Sequence, residues 1–223
     1  MEKIKIIQYL PLTRARASRK LLKVFNKKNV SAILDLEDSA QNIFDYEQTK
    51  ELKIQARDGL LDLAQNLNYQ HDKPLYIRVN SIGSNFLEED IKCIKQAINY
   101  GLPLDGIFLP MVKDYSEIKH IHKALNGIEV VPMIETKDGV KNLSEILEQD
   151  RTRKLIDKIH YGHSDFCLDS KIWPLPDPNH KKYWNIILPI IDILKKHNKI
   201  FVNTPFPFPK NEKLFWSVSK KIA

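Results

Sequence analysis

The stretch SAILDLEDSA, residues 31–40, closes an apolar run with Asp35, Glu37 and Asp38. That is more negative charge than a buried strand end holds without a cationic partner or a metal ion. Other apolar runs end the same way: YIRVN in Arg78 and Asn80, VVPMIE in Glu135, IHYGHSD in His163 and Asp165, and IFVN in Asn203. Taken singly, each has an ordinary structural reading. Glu37 and Asp38 can cap a helix and pair with Arg57 or Arg78, Arg78 can be an ion-pair partner, Glu135 and Asp165 can be caps, and His163 can be a hydrogen-bonded structural histidine. Arg14 and Arg16, just after the first run, can hold a substrate carboxylate or phosphate, or simply be solvated.

The elements that carry these residues follow from periodicity. Apolar, β-branched runs predict strands near Lys5 to Leu10, Ala32 to Glu37, Leu75 to Asn80, Gly106 to Pro110, Glu129 to Glu135, Lys158 to Asp165 and Lys199 to Thr204. Helical spacing lies between them at Arg16 to Phe25, Glu47 to Asn66, Glu88 to Tyr100, Ser116 to Leu125, Leu143 to Glu148 and Tyr183 to His197. Such alternation predicts a parallel sheet, either open and doubly wound or closed as a (β/α)8 barrel. The chain has seven glycines, and Leu10-Pro11-Leu12-Thr13-Arg14 stands where a dinucleotide fold needs a glycine-rich turn. The polar residues all fall at C-terminal strand ends, where a barrel gathers its active site. Period two puts Tyr76, Arg78 and Asn80 on one face of the third strand, and Asp35 and Glu37 on one face of the second.

Composition bounds the answer. The chain has 223 residues, 43% hydrophobic and 28% charged, enough for a sizeable core in a single domain spanning residues 1–223. No stretch approaches the about 20 apolar residues of a membrane-spanning helix, and no signal peptide is evident, so the expectation is a cytoplasmic protein with no membrane partner. Cys93 and Cys167 lack metal-type spacing and read as small core residues. The net charge of +7 is spread along the chain in pairs such as Lys27-Lys28 and Lys195-Lys196, without a nucleic-acid-binding signature. It reads as a lysine-rich solvated surface with no nucleic-acid partner.

ILDLEDSA followed by KIQAR, then YIRVNS, GIFLPM, VVPMIETKDGV and IHYGHSDF, resemble in order the blocks of the HpcH/HpaI aldolase and citrate lyase β-subunit (CitE-like) superfamily, from the first strand through Asp165. The resemblance implies an α/β fold of the TIM (β/α)8-barrel type. It implies an enzyme: a lyase or aldolase that uses Mg²⁺, or Mn²⁺, to break a carbon–carbon bond in a hydroxyacyl thioester or a 2-oxo or hydroxy acid through a metal-stabilised enolate. Glu135 and Asp165 would be the metal ligands, Arg78 would contact the substrate carbonyl or carboxylate, and Glu37 and Asp38 would stand near the metal and its waters. Arg14, Arg78 and Asn80 are the expected substrate-binding residues, with Arg78, Glu37 and Asp38 the expected catalytic set. Chemistry supports that set: an enolate must be stabilised more than the neutral substrate, and a cation held by two carboxylates keeps positions open for water and substrate oxygens. The partners implied are a small carboxylate or CoA-thioester substrate and further copies of the chain, as a trimer or hexamer.

The match breaks in places. Leu12 stands where the family has glycine, and Met111 where it has lysine. No Gly-Lys…His-Pro block announces an eighth strand, so the expected barrel is either incomplete or closed by an atypical eighth element. The C-terminal lid region of longer relatives is expected to be absent. Other expectations kept open are a thioester hydrolase or condensing enzyme on the same platform, and a barrel without catalysis that serves binding or assembly.

Overall fold

The computed structural model describes residues 5–67, 73–208 and 210–222. Seven strands alternate with helices: β1 Ile7–Pro11, α1 Ala15–Lys28, β2 Ser31–Asp35, α2 Tyr46–Gln65, β3 Leu75–Arg78, α3 Leu87–Asn99, β4 Gly106–Leu109, α4 Tyr115–Ala124, β5 Glu129–Ile134, α5 Lys137–Asp150, β6 Lys158–Tyr161, α6 His163–Asp169, α7 Lys181–Lys196, β7 Ile200–Val202 and α8 Glu212–Ile222. The strand order is β1-β2-β3-β4-β5-β6-β7. The register pairs are parallel. This sequential, parallel order is the α/β arrangement of a TIM-type barrel with seven strands, and no eighth strand follows β7 among the described residues.

The chain divides into two compact units. The first comprises Lys5–Pro110 and His120–Val130. Its strands β2, β3 and β4 are buried at every position, as expected of parallel strands covered on both faces. Gly106 is glycine because a side chain there would press on the Tyr76 ring and the Glu129 carbonyl, and Tyr76 packs edge-on against Phe108 at 5.4 Å. Helix α2 begins where Asp45 accepts a hydrogen bond from Gln48 N at 3.0 Å, and α1 ends at Asn29 in the left-handed conformation, φ 58°.

The second unit comprises Met111–Lys119 and Val131–Ala223. Thr136 caps α5 by accepting from Gly139 N at 3.0 Å. Asp150, fully buried at the end of α5, accepts from Tyr115 Oη at 3.1 Å, Leu155 N at 2.7 Å and Lys199 Nζ at 2.9 Å. No helix among the described residues is long and apolar enough to cross a membrane.

Several boundaries depart from the expectation. The second strand stops at Asp35, so Glu37 does not share its face. The Asp35 carboxylate accepts from Glu37 N and Ser39 N, both at 3.0 Å, and folds the chain back. The third stops at Arg78, because Asn80 N turns to Asp90 Oδ2 at 2.9 Å. The sixth stops at Tyr161, and Asp165 lies in the first turn of α6, where Phe166 N already bonds to Gly162 O. Helix α5 begins at Lys137 rather than Leu143, while α6 and α8 are additional to the elements expected.

Candidate active site

In the first unit, the parallel register places Asp35 of β2 directly beside Arg78 of β3. The guanidinium takes that carboxylate in a fork, Nε to Oδ1 and Nη2 to Oδ2, both at 2.7 Å. Its Nη1 meets Glu37 Oε2 at 2.9 Å and Asp38 Oδ2 at 2.8 Å. Arg78 is only 8% exposed and lies 4.6 Å from the Tyr9 ring centroid. The expected catalytic residues Arg78, Glu37 and Asp38 are therefore brought together, with Asp35 as a third acid. The Asp38 side chain is 54% exposed and is the member of the cluster most open to solvent.

Burial and the bonded partners together set the proton affinities of Asp35 and Arg78. Burial pushes the Asp35 carboxyl up, but the bonded Arg78 guanidinium and the N–H groups of Ser39 and Glu37 outweigh it, and the group sits below its usual value. Burial opposes the charge on Arg78 too, yet the hydrogen bond and charge of Asp35, with Glu37 and Asp38, hold its proton more tightly than usual.

Behind the cluster lies a polar layer. Asn80 is buried, and its amide donates to Leu36 O at 3.1 Å and Asp90 Oδ2 at 2.7 Å. Asp90 also takes Arg57 Nε at 2.9 Å, and burial raises its carboxyl despite the Asn80 and Arg57 bonds. Lys53 donates from α2 to the carbonyls of Leu36 and Glu37. Asn80, expected to bind substrate, thus ties the 35–40 loop to Asp90 through its amide N–H groups. Arg14 is exposed in a short 3-10 turn, Leu12–Arg14, and stands outside the Arg78 cluster.

In the second unit, Glu135 follows β5 and is 3% exposed. Its Oε1 accepts from Met111 N at 3.0 Å, and Met111 holds a left-handed backbone, φ 56°, that costs about 1–2 kcal/mol in an L-residue. Gly162 ends β6 and donates from its N to Ile134 O at 3.2 Å. A Cβ on Gly162 would run into the Glu135 carboxylate, so the missing side chain makes the space that Oε2 occupies. Asp165 stands half-buried three residues on. His163 is buried with both ring nitrogens engaged: its Nε2 lies 2.7 Å from Pro176 O and its Nδ1 3.2 Å from Tyr161 Oη. Burial lowers the affinity of His163 for a second proton, only partly countered by Pro176.

Glu135 and Asp165 are oxygen donors of the kind that suit a hard divalent cation. No group of three or more His, Cys, Asp or Glu residues able to hold a metal occurs among the described residues.

Lys53 and Asp90 lie in the supporting layer although the sequence reading gives them no site role, and Asp35, marked in the sequence only as part of the acidic run, forms the fork to Arg78. Lys53 had a legible signal, since Thr49, Lys53, Ala56, Leu60 and Leu63 form one buried helical stripe.

A family model described as HpcH/HpaI aldolase/citrate lyase matches residues 18–183. Among curated proteins, the glycine–tRNA ligase of Methanocaldococcus jannaschii is 25% identical over 144 residues, which is 60% of this chain and 25% of that protein. The chain thus spans about a quarter of the length of the curated relative it matches. Three solved structures resemble it closely in fold. RipC from Yersinia pestis has a TM-score of 0.70 at 16% identity, covering 99% of this chain and 86% of that one. The citrate lyase β subunit from Mycobacterium tuberculosis, complexed with oxaloacetate and magnesium, has 0.70 at 15%, covering 96% and 84%. A citrate lyase from Burkholderia xenovorans has 0.75 at 14%, covering 96% and 67%. At these identities the solved structures speak to fold alone.

Proposed function

The chain belongs to the HpcH/HpaI aldolase/citrate lyase family, and on that premise we propose that it is a divalent-cation-dependent carbon–carbon lyase. Its substrate is a small 2-oxo or hydroxy acid, or the corresponding hydroxyacyl thioester. The observation that carries the reading is the Glu135 cradle: a buried carboxylate, oriented by a strained backbone N–H and given room by Gly162, with Asp165 on the following turn. The magnesium and oxaloacetate of the Mycobacterium tuberculosis citrate lyase β subunit support a cation and a small oxo acid as the ligands.

Glu135 and Asp165 would hold the cation, which when bound supplies positive charge at an oxygen that becomes enolate-like as the bond breaks. Cleavage moves the bonding pair toward the carbon next to the carbonyl, while the hydroxyl proton leaves and its carbon becomes a carbonyl. Arg78, held rigid by Asp35, offers Nη1 to the substrate carboxylate, and the exposed Asp38 is the partner that the carboxylate displaces. Once freed from Nη1, Asp38 accepts the hydroxyl proton, and Glu37 keeps Nη1 partnered.

The test is a panel of 4-hydroxy-2-oxo acids and 3-hydroxyacyl thioesters with Mg²⁺ or Mn²⁺, the products read by NMR. The reading predicts two carbon fragments, lost with chelator and slowed by about 10²-fold or more in Asp38→Asn. Free thiol without carbon–carbon cleavage would identify a hydrolase and overturn it.

A further inference from the structure

Lys53 is 3% exposed and occupies a stripe of α2 that is otherwise core. Taking an ammonium out of water is costly, and a methionine of similar length would fill the same space. Its Nζ instead donates to two consecutive carbonyls, Leu36 O at 3.0 Å and Glu37 O at 2.7 Å, beneath the face of Phe86 at 5.6 Å. Closing the 35–40 loop does not require this ammonium, because Asp35 already gathers Glu37 N and Ser39 N. What the ammonium adds is the orientation of the two peptide planes from which Glu37 and Asp38 reach Arg78 Nη1.

We propose that Lys53 is a positioning residue that clamps the Leu36 and Glu37 carbonyls and thereby aims the Glu37 and Asp38 carboxylates at Arg78. The inference rests on the reading of the Arg78 cluster as part of the catalytic machinery. It accounts for a buried charge that neither the fold nor that machinery uses directly. Leu36 O is shared with Asn80 Nδ2 and Glu37 O with Ala40 N, so the clamp draws α2, Asn80 beyond the end of β3 and the 38–40 turn onto one short stretch of backbone.

The experiment compares crystal structures and steady-state kinetics of wild type, Lys53→Met, which keeps length without a donor, and Lys53→Gln, which keeps a donor without charge. The expected Lys53→Met structure retains the Asp35–Arg78 fork while the Glu37 and Asp38 carboxylates leave Arg78 Nη1. Its kcat falls on the order of 10²-fold with KM within about threefold, and Lys53→Gln recovers part of the loss. Both carboxylates still on Arg78 in Lys53→Met, or an unchanged kcat in a folded variant whose loop has moved, would overturn the proposal. Should Lys53→Met not fold, Lys53→Gln decides: a several-fold lower kcat with the Glu37 and Asp38 carboxylates shifted on Arg78 supports the proposal, and a wild-type kcat with both carboxylates in their wild-type places overturns it. A wild type without lyase turnover would refute the function above, and the crystallographic comparison would still decide the role of Lys53.

Discussion

Gly162→Ala places one methyl group against the Glu135 carboxylate and so tests the cradle without touching a charged residue. The backbone at Gly162, φ −93° and ψ 94°, is open to any L-residue, so no conformational penalty confuses the result. The new Cβ would lie 2.8 Å from Glu135 Cβ and 3.1 Å from Cδ and would run into Oε2, well inside the 3.5–4.0 Å at which carbon atoms pack. The backbone cannot readily open, because Ile134 and Tyr161 are register partners and Gly162 N is bonded to Ile134 O. Glu135 must therefore move and give up the Met111 N–H. Overpacking costs about 1–3 kcal/mol and a lost hydrogen bond to a charged group about 1.5–3 kcal/mol. Replacing glycine returns about 0.4–1 kcal/mol through the unfolded chain. The net expectation is about 2–5 kcal/mol of destabilisation, read as a lower urea midpoint at unchanged slope. Combined with Glu135→Ala, which removes the carboxylate, the cycle should show a coupling of about 1 kcal/mol or more. A Gly162→Ala protein within about 0.5 kcal/mol of wild type would refute the cradle.

Asp35→Asn should cost about 3 kcal/mol at neutral pH, because it leaves the buried Arg78 fork without its bidentate partner. The folded-state affinity of Asp35 for its proton is depressed below the ordinary 3.8, so its contribution is complete above that pH and lost as pH falls through the lower folded value. Acid unfolding of wild type should accordingly steepen below about pH 3.8, and the variant should lack that component; identical acid limbs by circular dichroism would contradict this. His163 is driven toward the neutral form in the fold, so stability should fall as pH drops below its ordinary 6.5, and His163→Gln should flatten that slope in urea titrations. Lys199→Met removes the ammonium from buried Asp150, which keeps Tyr115 Oη and two backbone N–H groups. A loss of about 2–3 kcal/mol is expected, and an unchanged thermal midpoint would show the pair to be dispensable.

The alternation of strand and helix was legible because apolar runs and 3.6-residue spacing survive any choice of partner. Where the chain leaves a strand was less so, since period two extends past a boundary that only a side-chain hydrogen bond can mark. Asp35 shows this: the pattern continues to Glu37, but the Asp35 carboxylate turns the chain by accepting from Glu37 N and Ser39 N. Asp165 was carried along by the same continuation from β6, although Gly162 ends that strand. Gly139 weakens the helical pattern at the start of α5, which begins at Lys137 because Thr136 caps it. The polar residues of the candidate site were visible as charges at strand ends. Their supports were not, because a lysine on a helix reads as solvated until its neighbours at three and four residues are seen to be core.

The central claim is that Glu135 and Asp165 hold a divalent cation beside a small oxo acid. Its most direct test is calorimetric titration of Mg²⁺ and Mn²⁺ into the purified protein, with and without oxalate, for wild type, Glu135→Gln and Asp165→Asn. The account predicts binding to wild type that tightens with oxalate and a loss of about 10-fold or more in each variant. Absence of binding in folded wild type, or equal binding in all three proteins, would contradict it.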